Sequence, residues 1–143
     1  MKKLLCPKTY ECSDLGLLVL RVSIGLMMAF SHGLGKVEKF FAGGEIKFPD
    51  PIGIGSSASL FLAGFTEFFL SLLLVVGLAT RIVTIPLAIT MLVAAFIIHG
   101  ADPFAKKEFA LLYLVPYITL FFTGPGKYSL DAKFCNKKRG LFL

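Results

Sequence analysis

Charge is scarce in this chain. Of 143 residues 17% are charged, nine of them acidic, while 56% are hydrophobic and the mean hydropathy is +0.79. A soluble domain of this length carries more charge, so a water-soluble globule is excluded. Cysteine is scarce as well. Cys6, Cys12 and Cys135 contain no C-x-x-C pair and match no common zinc spacing. They are expected to be incidental reduced thiols. There is no haem-ligand pair, flavin fingerprint or cysteine cluster, so no self-contained redox centre is encoded. Nothing resembles a nucleic-acid module, and no internal repeat suggests a transporter made by one chain alone. The opening "MKKLLCPKTYECSD" has two leucines and no cleavage site. It does not read as a signal peptide, and the first apolar run is expected to remain as an anchor.

What is present is four apolar stretches: Leu15–Gly35, Ser59–Ala79, Ile82–His99 and Phe109–Gly124. At about 1.5 Å per residue, roughly 20 residues cross a hydrocarbon core of about 30 Å. The first two fit, the third is slightly short, and the fourth needs local thinning or snorkelling flanks. The fold class that follows is all-α, an integral membrane four-helix bundle over residues 15–124. Basic tails, 1–14 and 125–143, flank it, and no second domain fits. Nine Lys and Arg fall in the tails and the second connection, against five in the other two connections. The positive-inside rule then places both termini in the cytoplasm, in a multi-pass protein of the cell (inner) membrane. The net charge of +6 largely reflects this asymmetry. It points to anionic lipid rather than nucleic acid as the partner.

Ionisable residues inside spans are costly and mark function by default. Here they are Arg21 and Glu67, with His32 and His99 at helix ends and Glu108 opening the fourth helix. Arg21 and His32 are eleven positions apart, so on an ideal helix they nearly eclipse. Gly25, Ala29 and Gly33 form a small-x-x-x-small row on that side, which lets another backbone come close. Gly64, Glu67 and Ser71 make a matching stripe on the second helix. Glu67, about 12 Å below the outer end, needs a partner, with Arg21 from below or His32 from above as candidates; an Arg21–Glu67 structural ion pair is expected. His32 and Lys36 then form one wall of an outward-facing polar pocket with Glu67 as its floor. Each of these residues also has a bland reading. His32 and His99 can end helices at an interface, Lys36 can snorkel, and Tyr113 and Tyr117 can be ordinary packing.

"LRVSIGLMMAFSHGLGKVEKF" resembles the first helix of the DoxX family, with Arg, Gly, His-Gly and Lys in that order. "LAGFTEFFLSLLLVVGLATR" is similar to the second, with Glu67, Gly77 and Arg81. "TGPGKYSLDA" resembles the family's closing segment. The resemblance covers roughly residues 15–132. It implies a small four-helix membrane protein of the bacterial and archaeal kind. Some such proteins resemble a subunit of thiosulfate:quinone oxidoreductase, and others accompany redox proteins. Phe68-Phe69 depart from the small residues the family often has after the Glu, which narrows any cavity beside Glu67.

Two functions are then open. In the first, the chain is a subunit of a membrane oxidoreductase that binds quinone, with no covalent cofactor. His32, Lys36 and His99 would offer donors, Glu67 a proton relay, and Tyr113 and Tyr117 the slot walls. A redox partner protein would hold the electron carrier. In the second, the chain is a non-enzymatic scaffold or small-solute protein that docks a partner through its first connection, whose Pro-Asp-Pro suggests a shaped lid. A homodimer fits either. A metal site from His32, Glu67, His99 and Glu108 has suitable ligand types, but requires four helices to converge.

Overall fold

The computed structural model describes residues 9–139, with side chains over 12–135. Lys2, Lys3, Cys6 and Lys8 of the first tail, and the side chains of Lys137, Lys138 and Arg139, lie outside the described residues. Among the described residues there is helix and loop but no strand. Helix α1 spans residues 9–41. Its Thr9–Met28 stretch passes through a π-turn, Ala29–Gly33, into Leu34–Phe41. Helix α2 is Ser56–Val76, with a π-turn at Phe65–Leu70, and α3 is Thr80–Ile98, ending in a π-turn at Ala94–Ile98. Helix α4 is Phe104–Thr123 and α5 is Leu130–Arg139.

Three helices, α1 from Cys12, α2 and α3, are long and apolar enough to cross a bilayer. Lipid offers no hydrogen bonds, so an apolar run there must satisfy its own backbone as helix. Helix α4 has 20 residues, but Lys106, Lys107 and Glu108 stand in its first two turns. It therefore starts five residues before the apolar run does. Helix α1 likewise continues past Gly35 to Phe41, where its sequence turns amphipathic. The second tail, expected only as a tail, contains α5.

Helix α1 packs along α2, and α3 along α4. Between helices in lipid, close packing replaces the hydrophobic drive, and two glycines of α1 show how. A Cβ on Gly25 would lie 2.6 Å from Val75 Cγ2 and 3.0 Å from Ser71 O. A Cβ on Gly33 would lie 2.6 Å from the backbone of Glu67 and Phe68. Met28, Leu74, Leu87, Met91, Tyr117 and Leu120 fill the interior. Val19, Phe30, Phe61, Ile82, Phe96 and Phe122 stay exposed on the outside, the surface a lipid solvent requires.

The end of the bundle nearest the described termini is locked by Arg21 and Asp131. Gly77, at φ 70°, closes α2: Gly77 N–H bonds Leu74 O and Leu78 N–H bonds Leu73 O, both at 3.0 Å. Asp131 then caps α3 by accepting from Ala79 N (2.7 Å) and Thr80 N (2.9 Å), while its own N–H donates to Gly77 O at 2.9 Å. These bonds hold Ala79 in a left-handed conformation, φ 51°, that alanine otherwise avoids. Arg21 is buried, and its guanidinium donates to the carbonyls of Leu74, Val75 and Tyr128.

Candidate functional site

The other end of the bundle holds a cavity of about 370 Å³. Helix α2 contributes Ser59, Leu62, Ala63 and Glu67, α3 contributes Ile89, Thr90, Val93 and Ala94, and α1 contributes Lys36. Ile98 and His99 close one side, and the first connection lies across the top with Phe48, Pro49, Pro51 and Ile52. The walls are thus mostly hydrocarbon. Leu62, Ile89 and Ile98 are exposed on the rim, so the mouth is apolar too.

The floor carries the charge. Glu67 is 5% exposed, eleven residues into a 21-residue helix, about 16 Å from Ser56. It is deeper than the 12 Å expected from Ser59, because α2 begins earlier. Its Oε2 is paired with Lys36 Nζ. Lys36 Nζ also reaches His32 O at 3.4 Å. The lysine descends from one turn above, its stem against Gly64, where a Cβ would meet Lys36 Cβ at 3.3 Å.

The expected Arg21–Glu67 pair does not form. Arg21 reaches carbonyls at the C-terminal end of α2, seven and eight residues beyond Glu67, or about 10–12 Å along the axis. Those carbonyls sit at the negative end of the helix dipole, a natural seat for a cation. His32 is displaced as well. The π-turn at Ala29–Gly33 adds one residue to the turn, so Gly33 takes the inward place that an unbroken α-helix gives to position 32. His32 is exposed, its ring edge-on to Tyr113 at 5.6 Å. Tyr113 in turn stacks on the buried Tyr117, 6.4 Å between centroids. These three make an aromatic cluster outside the cavity lining. Glu108 is exposed on α4. His32, Glu67, His99 and Glu108 do not converge, and no three metal-ligating side chains do so among the described residues.

Two carboxylates that the sequence reading passed over shape the rim. Asp50, within Pro-Asp-Pro, accepts from Ile54 N (3.0 Å), Gly55 N (2.7 Å) and Ser59 Oγ (2.9 Å). It folds the first connection back onto the start of α2. Lys39 Nζ ties the same loop to α1 through Lys47 O at 2.8 Å. Asp102 accepts from His99 Nδ1 at 2.8 Å and from Lys106 Nζ at 3.4 Å. The hydrogen bond from His99, then Lys106, holds its carboxyl below the usual range.

Asp50 gives the lid a testable hold. Hydrogen bonds from Gly55 N–H, then the Ser59 hydroxyl, keep its carboxyl below the ordinary value of about 3.9. A lowered carboxyl stabilises fully above that value and loses its effect as pH falls through the folded one. Hydrogen exchange at the Ile54 and Gly55 amides, corrected for intrinsic rates, is expected to accelerate below about pH 4. Asp50→Ala should show the fast exchange at neutral pH, with the exchange of α2 and α3 unchanged. Equal lid exchange in the two proteins would show that Asp50 does not hold it.

A model of the DoxX family matches residues 16–100. The chain belongs to the DoxX family. Two relatives align over nearly the full length. One is a Bacillus subtilis protein named "Putative oxidoreductase CatD", 36% identical over 129 residues, covering 89% of this chain and 93% of the relative. The other, an uncharacterized protein of Haemophilus influenzae, is 34% identical over 128 residues, covering 82% and 90%. No solved structure matches significantly. This DoxX protein is, by family and by its three spanning-length helices, a membrane protein. The matched stretch contains Lys36, the lid, Glu67 and His99, hence every residue that lines the cavity. The closing segment that the sequence also likened to the family lies beyond it.

Proposed function

We propose that this DoxX protein is a redox-associated subunit of the cell (inner) membrane that binds a quinone, or a similar small ring compound, in the cavity under the lid. The observation that carries this reading is an apolar cavity of about 370 Å³ with one charge pair, Lys36–Glu67, at its floor. The volume suits a substituted single ring and lies in the range of small-molecule sites. The ring takes the hydrocarbon walls of α2 and α3, and a carbonyl takes a hydrogen bond from Lys36. Glu67 beside it offers a site for proton exchange. In this reading electrons come from a redox partner protein, since the sequence has no haem pair, flavin fingerprint or cysteine cluster. The oxidoreductase name of the Bacillus subtilis relative supports the redox setting.

In this reading α4 crosses the membrane with α1, α2 and α3, completing a four-helix bundle, and the lid faces outward with both termini in the cytoplasm. The excess of Lys and Arg in the tails and the second connection supports that orientation. A reporter active only outside the cell, fused to either terminus, should stay silent. A C-terminal signal would reverse the orientation.

Binding tests the site itself. The purified protein in lipid nanodiscs should bind a ubiquinone with one isoprene unit saturably. A bond from a charged donor contributes about 1.5–3 kcal/mol. Lys36→Ala should therefore weaken binding by roughly ten- to a hundredfold, and Lys127→Ala, beside Asp14 at the other end of the bundle, far less. Equal loss in both variants would move the ligand out of this cavity. Absence of saturable binding, together with release of a co-purifying protein on deleting residues 43–55, would favour the scaffold reading.

A further inference from the structure

The rim histidine is held by a carboxylate. His99 ends α3 and lines the cavity. Its Nδ1 lies 2.8 Å from Asp102 Oδ2. Asp102 comes from the turn before α4 and also takes Lys106 Nζ at 3.4 Å. The backbone strengthens the geometry, because Asp102 N–H donates to His99 O at 3.0 Å. The two residues are thus held together by a side-chain and a main-chain bond.

The chemistry follows from which nitrogen is left. A carboxylate accepts and does not donate. The proton of a neutral imidazole therefore sits on Nδ1, where Asp102 takes it, and Nε2 carries a lone pair. With Nδ1 occupied, Nε2 is the ring nitrogen available to a ligand. We propose that Asp102 fixes His99 as a hydrogen-bond acceptor at the cavity rim, so that the site prefers a ring bearing a hydroxyl, such as a phenol or a hydroquinone, over the same ring bearing only carbonyl or ether oxygens. Lys36 at the floor is a donor, and His99 at the rim an acceptor, so the cavity presents opposite polarity to the two ends of a ring. Asp102 is a positioning residue, acting through the imidazole. The inference rests on the cavity being the ligand site.

The other charged groups near the rim do not supply the same selection. Lys106 and Lys107 are donors, and Lys107 is engaged by Gly100 O at 2.7 Å. Asp50 is occupied by Ile54, Gly55 and Ser59. Glu67 can accept a hydroxyl, but it lies at the floor beside Lys36, and removing His99 separates the two contributions.

Two measurements test this. The chain has two histidines, so nitrogen shifts of ¹⁵N-histidine-labelled protein are assigned with one His32→Ala variant. In the neutral range, as the shifts themselves report, His99 should show a protonated Nδ1 and a bare Nε2. Asp102→Asn, whose amide can donate to Nδ1, should move the proton toward Nε2. The probes for binding are 4-tert-butylphenol and its methyl ether, which match in shape and are inert to redox chemistry. The wild-type protein should bind the phenol about tenfold more tightly. The preference should fall to about onefold in His99→Ala and in Asp102→Asn, both melting near wild type. If phenol and ether bind wild type equally, or if His99 carries its proton on Nε2, the inference is overturned and the cavity reading stands. If neither probe binds saturably, both fall.

Discussion

Glu67→Ala is expected to destabilise the folded protein by about 3–5 kcal/mol, the typical cost of stranding one member of a buried ion pair. The effect should lie toward the lower end, because the Lys36 side chain keeps 23% of its surface exposed against 7% for Glu67. Lys36 can therefore regain some water or headgroup contact when its partner is gone. The comparison is Glu38→Ala, on the same turn-and-a-half of α1 as Lys36 but exposed, where a change within about 0.5 kcal/mol is expected. Thermal melting in one detergent reads both. A restoring second change sharpens the test: Lys36→Met in the Glu67→Ala background removes the stranded charge and should recover much of the loss. Equal melting of the two single variants would mean that the pair does not contribute to the fold.

The second large effect is steric. Gly33→Ala should cost about 1–3 kcal/mol, the usual range for overpacking, and toward the top of it. The new Cβ would meet the backbone of Glu67 and Phe68 at 2.6 Å, and backbone cannot turn aside as a side chain can. Helices α1 and α2 must separate, and the Lys36–Glu67 pair, one turn above the contact, is pulled apart with them. Gly35→Ala, two residues on, meets nothing within 4 Å. It should be neutral or stabilising, by up to the roughly 1 kcal/mol that separates glycine from alanine in a helix. A similar drop in both would show that helix propensity, not close packing, governs this stretch.

These residues also show what the sequence could and could not reveal. The apolar runs were legible because lipid forces them into helix, and Glu67 stood out because a carboxylate in such a run needs a reason. The small row Gly25–Ala29–Gly33 was legible for the same kind of reason, since only small side chains admit a neighbouring backbone. The facing of His32 was not. A period of 3.6 cannot show a π-turn, and one added residue rotates everything beyond it. Partner choice was not legible either. Depth pointed to Arg21 from below or His32 from above as the mate of Glu67, and Lys36, which takes that place, had only the look of a pocket wall or a snorkelling residue. Helix ends decided it, by giving Arg21 the last carbonyls of α2. Asp50 and Asp102 escaped notice because their role lies in loop hydrogen bonds, which have no periodicity. The "PDP" and "HGADP" stretches were the available signals, and the first was read as a lid.

Photolabelling with an azido-substituted quinone in the intact membrane is the most direct test of the cavity as the ligand site. Label is expected on peptides from the lid and from the facing stretches of α2 and α3, residues 48–67 and 89–99, and it should be displaced by excess ubiquinone with one isoprene unit. Lys36→Ala should lower the yield without moving the position. Label spread over the lipid-facing side chains of α1 and α4, undiminished by competitor, would contradict a site under the lid.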